Sequence, residues 1–192
     1  MMRSNKGFTL VEILVVVALS ALFASFAISF SKIGQNQLNL SVEGAKVSQF
    51  ILQAKELTIA TFNGAANACG YGVHIDYVNQ TYSLFKYVPS GAPPCPSAAS
   101  TTDAGISLSD MQEYASSSWQ VPLSTGVVMK STAPTNDVLT DVLFYPPDPF
   151  ILISTDGATF PNPPATARIY MMSSDGGDAI TVSVNPAGQV SL

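Results

Sequence analysis

The stretch from Phe8 to Phe30 constrains this chain most, because it is apolar apart from Thr9, Glu12, Ser20, Ser25 and Ser29. At about 1.5 Å per residue, a helix of that length crosses a hydrocarbon core of about 30 Å. Arg3 and Lys6 stand just before it. The positive-inside rule then leaves the N-terminus in the cytoplasm and the rest of the chain on the far side of the membrane.

Three fates fit a basic tip followed by such a run: a cleaved secretory signal, a plain membrane anchor, or a short leader cut off just ahead of the run. They differ in what they make of Glu12. A secretory signal has an uninterrupted apolar centre followed by a small-residue cleavage site. Ser25-Phe26-Ala27 resembles such a site, but a carboxylate five residues into the run does not belong there. Burying an unpaired charge at membrane depth costs a few kcal/mol, so Glu12 needs a partner. Cleavage after Gly7 creates one, a new α-amino group on Phe8.

Lys6-Gly7-Phe8-Thr9-Leu10-Val11-Glu12 resembles the type III signal sequence of type IV pilins and type II secretion pseudopilins. That resemblance implies a prepilin peptidase cutting after Gly7, an N-methylated Phe8 as the mature terminus, and Glu12 as a carboxylate that aids subunit docking. The implied partners are that peptidase, other pilin or pseudopilin subunits and the inner-membrane assembly platform. The implied location is the bacterial inner membrane, with a single pass, followed by a pilus or pseudopilus filament. The implied organisation is a leader over 1–7, a long helix over 8–62 that spans the membrane from about 8 to 30, and a β-rich head over 63–192.

Composition agrees with a membrane segment on an exported head. Charged residues are 11% and hydrophobic residues 47% of 192 residues, an apolar balance that the first thirty residues supply. From residue 8 onward six Lys/Arg face thirteen Asp/Glu, a net charge of −7 that repels phosphate backbones. The two cysteines, Cys69 and Cys95, both follow the apolar run. In an oxidising compartment they would form one disulfide, contributing roughly 3 to 4 kcal/mol in the chain-entropy model, and in a reducing one they would stay thiols.

Beyond Phe30 the pattern turns amphipathic without a break, and no proline occurs before Pro89. Ile33, Leu40, Val47, Ile51 and Ala54 fall on one helical face, with Lys32, Gln35, Asn39, Glu43, Lys46, Gln53 and Lys55 at polar positions. The helix is expected to run from about Phe8 to Thr61, roughly 80 Å, and Phe62-Asn63-Gly64 supplies its stop. Only its C-terminal half can pack in a head of this size. Gly34 and Gly44 are bend points or close-packing positions.

From Ala65 the chain reads as short strands separated by Gly, Pro, Asn and Asp, which predicts an α+β fold with antiparallel sheet packed on the lower helix. Tyr71–Val78 and Thr81–Val88 suggest a hairpin turning at Asn79-Gln80. Further strands are expected over Val121–Met129, Val138–Tyr145, Phe150–Ser154, Ala167–Met172, Ile180–Val184 and Gln189–Leu192. Ser90–Asp110, containing Cys95, reads as a surface loop, as do the proline-rich stretches Pro146–Pro149 and Pro161–Pro164.

The end of the chain carries a second resemblance. Ile153 to Phe160 and Ile180 to Val190 are similar to the paired strand-turn elements that close minor pilins and pseudopilins of the H type, the FimT-like group. Some of that group bind DNA through arginines at the C-terminal glycine turn, but here Gln189 and Ser191 occupy it and no basic residue follows Arg168. A competence role in DNA uptake is thereby weakened, although Lys86, Lys130 and Arg168 could cluster. A major pilin remains an alternative within the structural class.

No catalytic or cofactor constellation stands out. His74 is the only histidine, which is read against the common catalytic triads and excludes any multi-histidine metal centre. Its alternating strand places it at the surface or rim. Asp175-Gly176-Gly177-Asp178 reads as a tight turn before a calcium loop, since two carboxylates are too few. Gly70 and Gly72 lack the strand-to-helix context of a phosphate loop, and Trp119 reads as core.

Overall fold

The computed structural model describes residues 8–61, 68–88, 111–113, 120–132, 137–146, 150–157, 160 and 165–192. Helix α1 (Leu10–Thr61) is followed by ten strands: β1 (Gly70–Asp76), β2 (Thr81–Tyr87), β3 (Met111–Glu113), β4 (Gln120–Pro122), β5 (Val127–Lys130), β6 (Asp141–Tyr145), β7 (Phe150–Ser154), β8 (Ala167–Ser173), β9 (Ala179–Val184) and β10 (Val190–Ser191). The order, helix first and antiparallel strands after it, is the expected α+β fold. Contacts divide the chain into two compact units, Met1–Leu38 and Asn39–Leu192.

In the first unit, Leu10–Ile28 is a helical stretch of 19 residues long and apolar enough to cross a membrane. Every side chain along it is exposed. Its hydroxyls are satisfied within the helix: Ser20 Oγ donates to Val17 O at 2.9 Å and Ser25 Oγ to Leu22 O at 2.7 Å. Back-bonding of this kind lets serine enter hydrocarbon without an orphaned donor.

The second unit forms around the predicted helical stripe. Leu40, Val47, Ile51 and Ala54 are all fully buried, each of the larger ones stabilising by about 1.5 to 3 kcal/mol. The side chain of Ile33 lies outside the described residues. Glu43, expected among the polar positions, is instead buried. The helical period explains the difference, since Glu43 lies three residues after Leu40 and four before Val47 and so shares their face. Gly44 on the same turn is a packing position rather than a bend. A Cβ there would press on Ile180 and, at 2.7 Å, on Leu192 Cδ2, whereas one at Gly34 meets nothing.

Two antiparallel sheets cover this stripe. The first runs β3-β2-β1-β6-β7, with β4 also paired to β2, and the second runs β10-β9-β8-β5. One core joins Tyr71, Val73, Leu84, Val142 and Ile153 of the first sheet with Met129, Ile169, Met171 and Val182 of the second and with the helix stripe. The opposite face of the first sheet holds a second buried cluster of Cys69, Phe85, Tyr87, Leu143, Tyr145 and Leu152. Gly72 makes room for it, because a Cβ there would collide with the Phe85 ring and the Val142 carbonyl.

The hairpin forms as expected, but its turn is Tyr77–Gln80 rather than Asn79-Gln80, with Asp76 and Thr81 as the closing pair. Asp76 Oδ1 accepts from Val78 N and Asn79 N, each at 2.9 Å. Gln80, at φ 55°, exchanges side-chain amide bonds with Met129 of β5: Met129 N donates to Oε1 at 2.6 Å and Nε2 donates to Met129 O at 3.1 Å. The strand expected over Val121–Met129 is two strands in two sheets. Pro122 offers no N–H to prolong the ladder, and Gly126 turns at φ +92°. Val138 makes only a single bridge to Arg168 before β6 begins at Asp141. Strand β3 was not anticipated, while Phe150–Ser154 has the expected bounds. Gly64, Ser90–Asp110, Trp119 and Pro161–Pro164 lie outside the described residues.

The helix end is tied to the first sheet by Thr58. Its hydroxyl lies 3.0 Å from Ala54 O and 3.3 Å from Phe144 O, and it accepts from Tyr71 N at 3.1 Å. Thr58→Val keeps the shape and strands a buried strand N–H, so it should cost about 1 to 3 kcal/mol; urea unfolding of the full chain in detergent will read the loss. Hydrogen bonds from Asn79, then Val78, hold the Asp76 carboxyl below its ordinary value. A depressed carboxyl contributes stability above its unfolded pKa of about 3.9 and loses it as pH falls through the folded value. The unfolding midpoint should therefore drop below about pH 4, and Asp76→Asn should remove part of that dependence.

Candidate functional site: the N-terminal segment

Helix α1 begins at Leu10, and Thr9 is its cap. Thr9 N donates to Glu12 Oε2 at 2.8 Å, Thr9 Oγ1 donates to the same oxygen at 2.8 Å, and Glu12 N donates back to Thr9 Oγ1 at 3.3 Å. The first intrahelical bond, Ile13 N to Thr9 O, measures 3.3 Å. This is a capping box, with the fourth residue's carboxylate returning to the first residue's N–H. The Thr-x-x-Glu spacing is the sequence signature of such a box.

Of the sequence-predicted processing residues, Gly7 lies outside the described residues, Phe8 is 83% exposed, and Glu12 sits in the first turn of α1 with its carboxylate on Thr9. Chemically the box answers the cost of an acid near the membrane. In the uncleaved chain Phe8 has an amide and not an amine, and Thr9 supplies the donors the carboxylate needs. Both contacts fall on Oε2, so Oε1 takes part in neither.

Several polar groups among the described residues of Asn39–Leu192 are engaged structurally. His74 Nδ1 lies 2.7 Å from Asp141 Oδ1, with Asp141 buried and its Oδ2 without a hydrogen-bond partner among the described residues. The rim position of His74 was expected, but its pairing across the β1–β6 ladder needed the topology. Glu43 Oε2 accepts from Ser124 Oγ at 2.5 Å and Lys46 Nζ at 3.1 Å. Burial, and then the Glu43 charge beside it, push the Tyr82 hydroxyl up to about 12. Among the described residues no group of three or more His, Cys, Asp or Glu is placed to hold a metal.

Asp175–Asp178 is a tight turn: Asp175 Oδ1 accepts from Ser173 Oγ and from Gly177 N, and Gly176 takes φ +76°. Gly70 and Gly72 serve sheet packing, each lying against a backbone carbonyl of β6. Arg168 pairs with Asp137, which neutralises one of the three cations that a DNA-binding surface would need. In the C-terminal turn Asn185 Nδ2 donates to Gln189 Oε1 at 2.9 Å, and Lys55 Nζ reaches Gly188 O at 3.4 Å. Cys69 is buried, and Cys95 lies outside the described residues.

Residues 2–28 match the family model of the prokaryotic N-terminal methylation motif. With an apolar N-terminal helix and an α+β fold, this match supports a type IV pilin-like protein. The motif implies processing by a prepilin peptidase and assembly with other pilin subunits. Comparison with curated proteins and with solved structures finds no match.

Removing the ring of His74 leaves a buried carboxylate with neither oxygen bonded. His74→Ala should destabilise by about 1 to 3 kcal/mol, and adding Asp141→Asn should return part of the loss in a double-mutant cycle.

Proposed function

We propose that this chain is a minor pilin or pseudopilin that enters a thin filament of a type IV pilus or a type II secretion system. The observation that carries this reading is a capped, lipid-compatible helix, Leu10–Ile28, whose every side chain is exposed and which bears one acid near its start. A helix apolar on all sides with nothing packed on it must find lipid or other copies of itself. In this account the leader 1–7 is removed after Gly7 and Phe8 is N-methylated. The helix over 8–62 then carries the head, 63–192, outside the inner membrane, with the N-terminus cytoplasmic before assembly. The new Phe8 amine and the Glu12 carboxylate form the docking pair.

The acidic composition and the Arg168–Asp137 pair support a structural subunit over a DNA-capturing one. A disulfide from Cys69 to Cys95 belongs to the same reading, supported by the bonded state of Cys69 and by the chain's having two cysteines.

Mass spectrometry of the mature protein is the direct test. It should show an N-terminus at Phe8 carrying one methyl group, and an intact Met1 or a terminus near Ser29 would overturn the reading. Glu12→Ala should be cleaved normally yet enter filaments poorly; unaltered incorporation contradicts the docking role.

A further inference from the structure

We propose that the outer edge of β5 is a strand-pairing site for a second copy of this chain, and that the side-chain amide of Gln80 holds it shut. β5 is the last strand of the second sheet and is paired on one side, to β8. Gly126 O accepts from Ser174 N at 2.8 Å next to that ladder. By alternation, Val128 and Lys130 turn their backbone groups to β8, while Val127 and Met129 turn theirs outward. An outward row of N–H and C=O groups is a template for another strand.

Gln80 closes the centre of that row. Met129 N donates to its Oε1 at 2.6 Å and its Nε2 donates to Met129 O at 3.1 Å, the two bonds that one residue of a neighbouring strand would make. Nε2 also donates to Tyr77 O at 2.5 Å. One acceptor therefore meets an N–H and two donors meet two carbonyls, which fits the amide in this orientation and not in the flipped one. Beside it, Val127 N donates to Ser124 O at 3.1 Å. The backbone of Gln80 is an independent sign that the side chain is needed. At φ 55° it is the only non-glycine with positive φ among the described residues. Glycine takes that conformation freely, so turn chemistry alone favours glycine there. A glutamine bears the strain and supplies an amide that glycine lacks.

A second copy fits the opened edge. Two β5 strands can pair antiparallel about a two-fold at Met129, whose outward N–H and C=O then exchange both bonds with the second copy's Met129. The strand reads Val-Val-Met-Lys, so its first three residues are apolar and its two valines suit extended backbone. Lys130, its single charge, then stands opposite the second copy's Val128 and not opposite its like. For a chain whose motif implies assembly with other subunits, a shut edge leaves association to other surfaces.

The test mixes unlabelled and nitrogen-isotope-labelled full chain in detergent, adds a short amine-reactive cross-linker, and reads linked peptides by mass spectrometry. Gln80→Gly suits the turn and removes the amide, whereas Gln80→Glu keeps the shape and removes both donors. Each should give a mixed-isotope link from Lys130 to Lys130 at least about fivefold above wild type, the factor expected for one net hydrogen bond. A folded variant of either kind without that gain overturns the proposal. So does a wild type that forms the link as readily, since Gln80 would then close nothing. Variants that associate without linking Lys130 overturn it as well, because the pairing would lie on another surface.

Discussion

The larger core of Asn39–Leu192 closes on one stripe of α1. Leu40, Val47, Ile51 and Ala54 are buried because two sheets reach them from the side, and those sheets share a core only because the stripe lies between their inner faces. The stripe cannot tolerate bulk at every step. Gly44 admits Ile180 and the terminal Leu192 where any other residue would hold them off. Glu43, on the same face, is kept by directed partners, Ser124 and Lys46 on its carboxylate and Tyr82 facing it. A buried carboxylate without such donors would be among the most costly features of the fold.

The same element meets a different demand near its start. From Leu10 to Ile28 apolar side chains point in all directions and no internal partner covers them. Only groups that can satisfy their own polarity remain there, two serines bonded to the preceding turn and one glutamate bonded to its cap. An amino-terminal motif of prokaryotic methylation covers this stretch. The chemistry of the motif and the physics of a lone acid in an apolar helix thus converge on Thr9 and Glu12.

Much of this was legible in the sequence, because period and punctuation are local properties. The apolar run, the helix stripe, the first hairpin and Phe150–Ser154 follow from residue types at regular spacing. What escaped reading depends on partners far along the chain. Glu43 shares the stripe by its spacing, but the partner that satisfies its carboxylate there, Ser124, lies 81 residues away. Val121–Met129 looked like one strand because its residues favour extension, yet Pro122 and Gly126 send its halves to different sheets. His74 and Asp141 are 67 residues apart and meet only through the β1–β6 register. The capping box is the exception, a local Thr-x-x-Glu pattern in which the same glutamate also carries the charge within the apolar run.

Among the described residues, Gln80 joins the two sheets with an amide in place of a ladder, and an isolated bridge at Val138 links them a second time. A ladder fixes both the position and the register of what it joins, whereas a clasp fixes position alone. Residues can therefore be added to or lost from the strands of one sheet without shifting the alternation of side chains in the other. Sequence drift in such a head is free to remodel one layer at a time, while the helix stripe beneath stays unchanged.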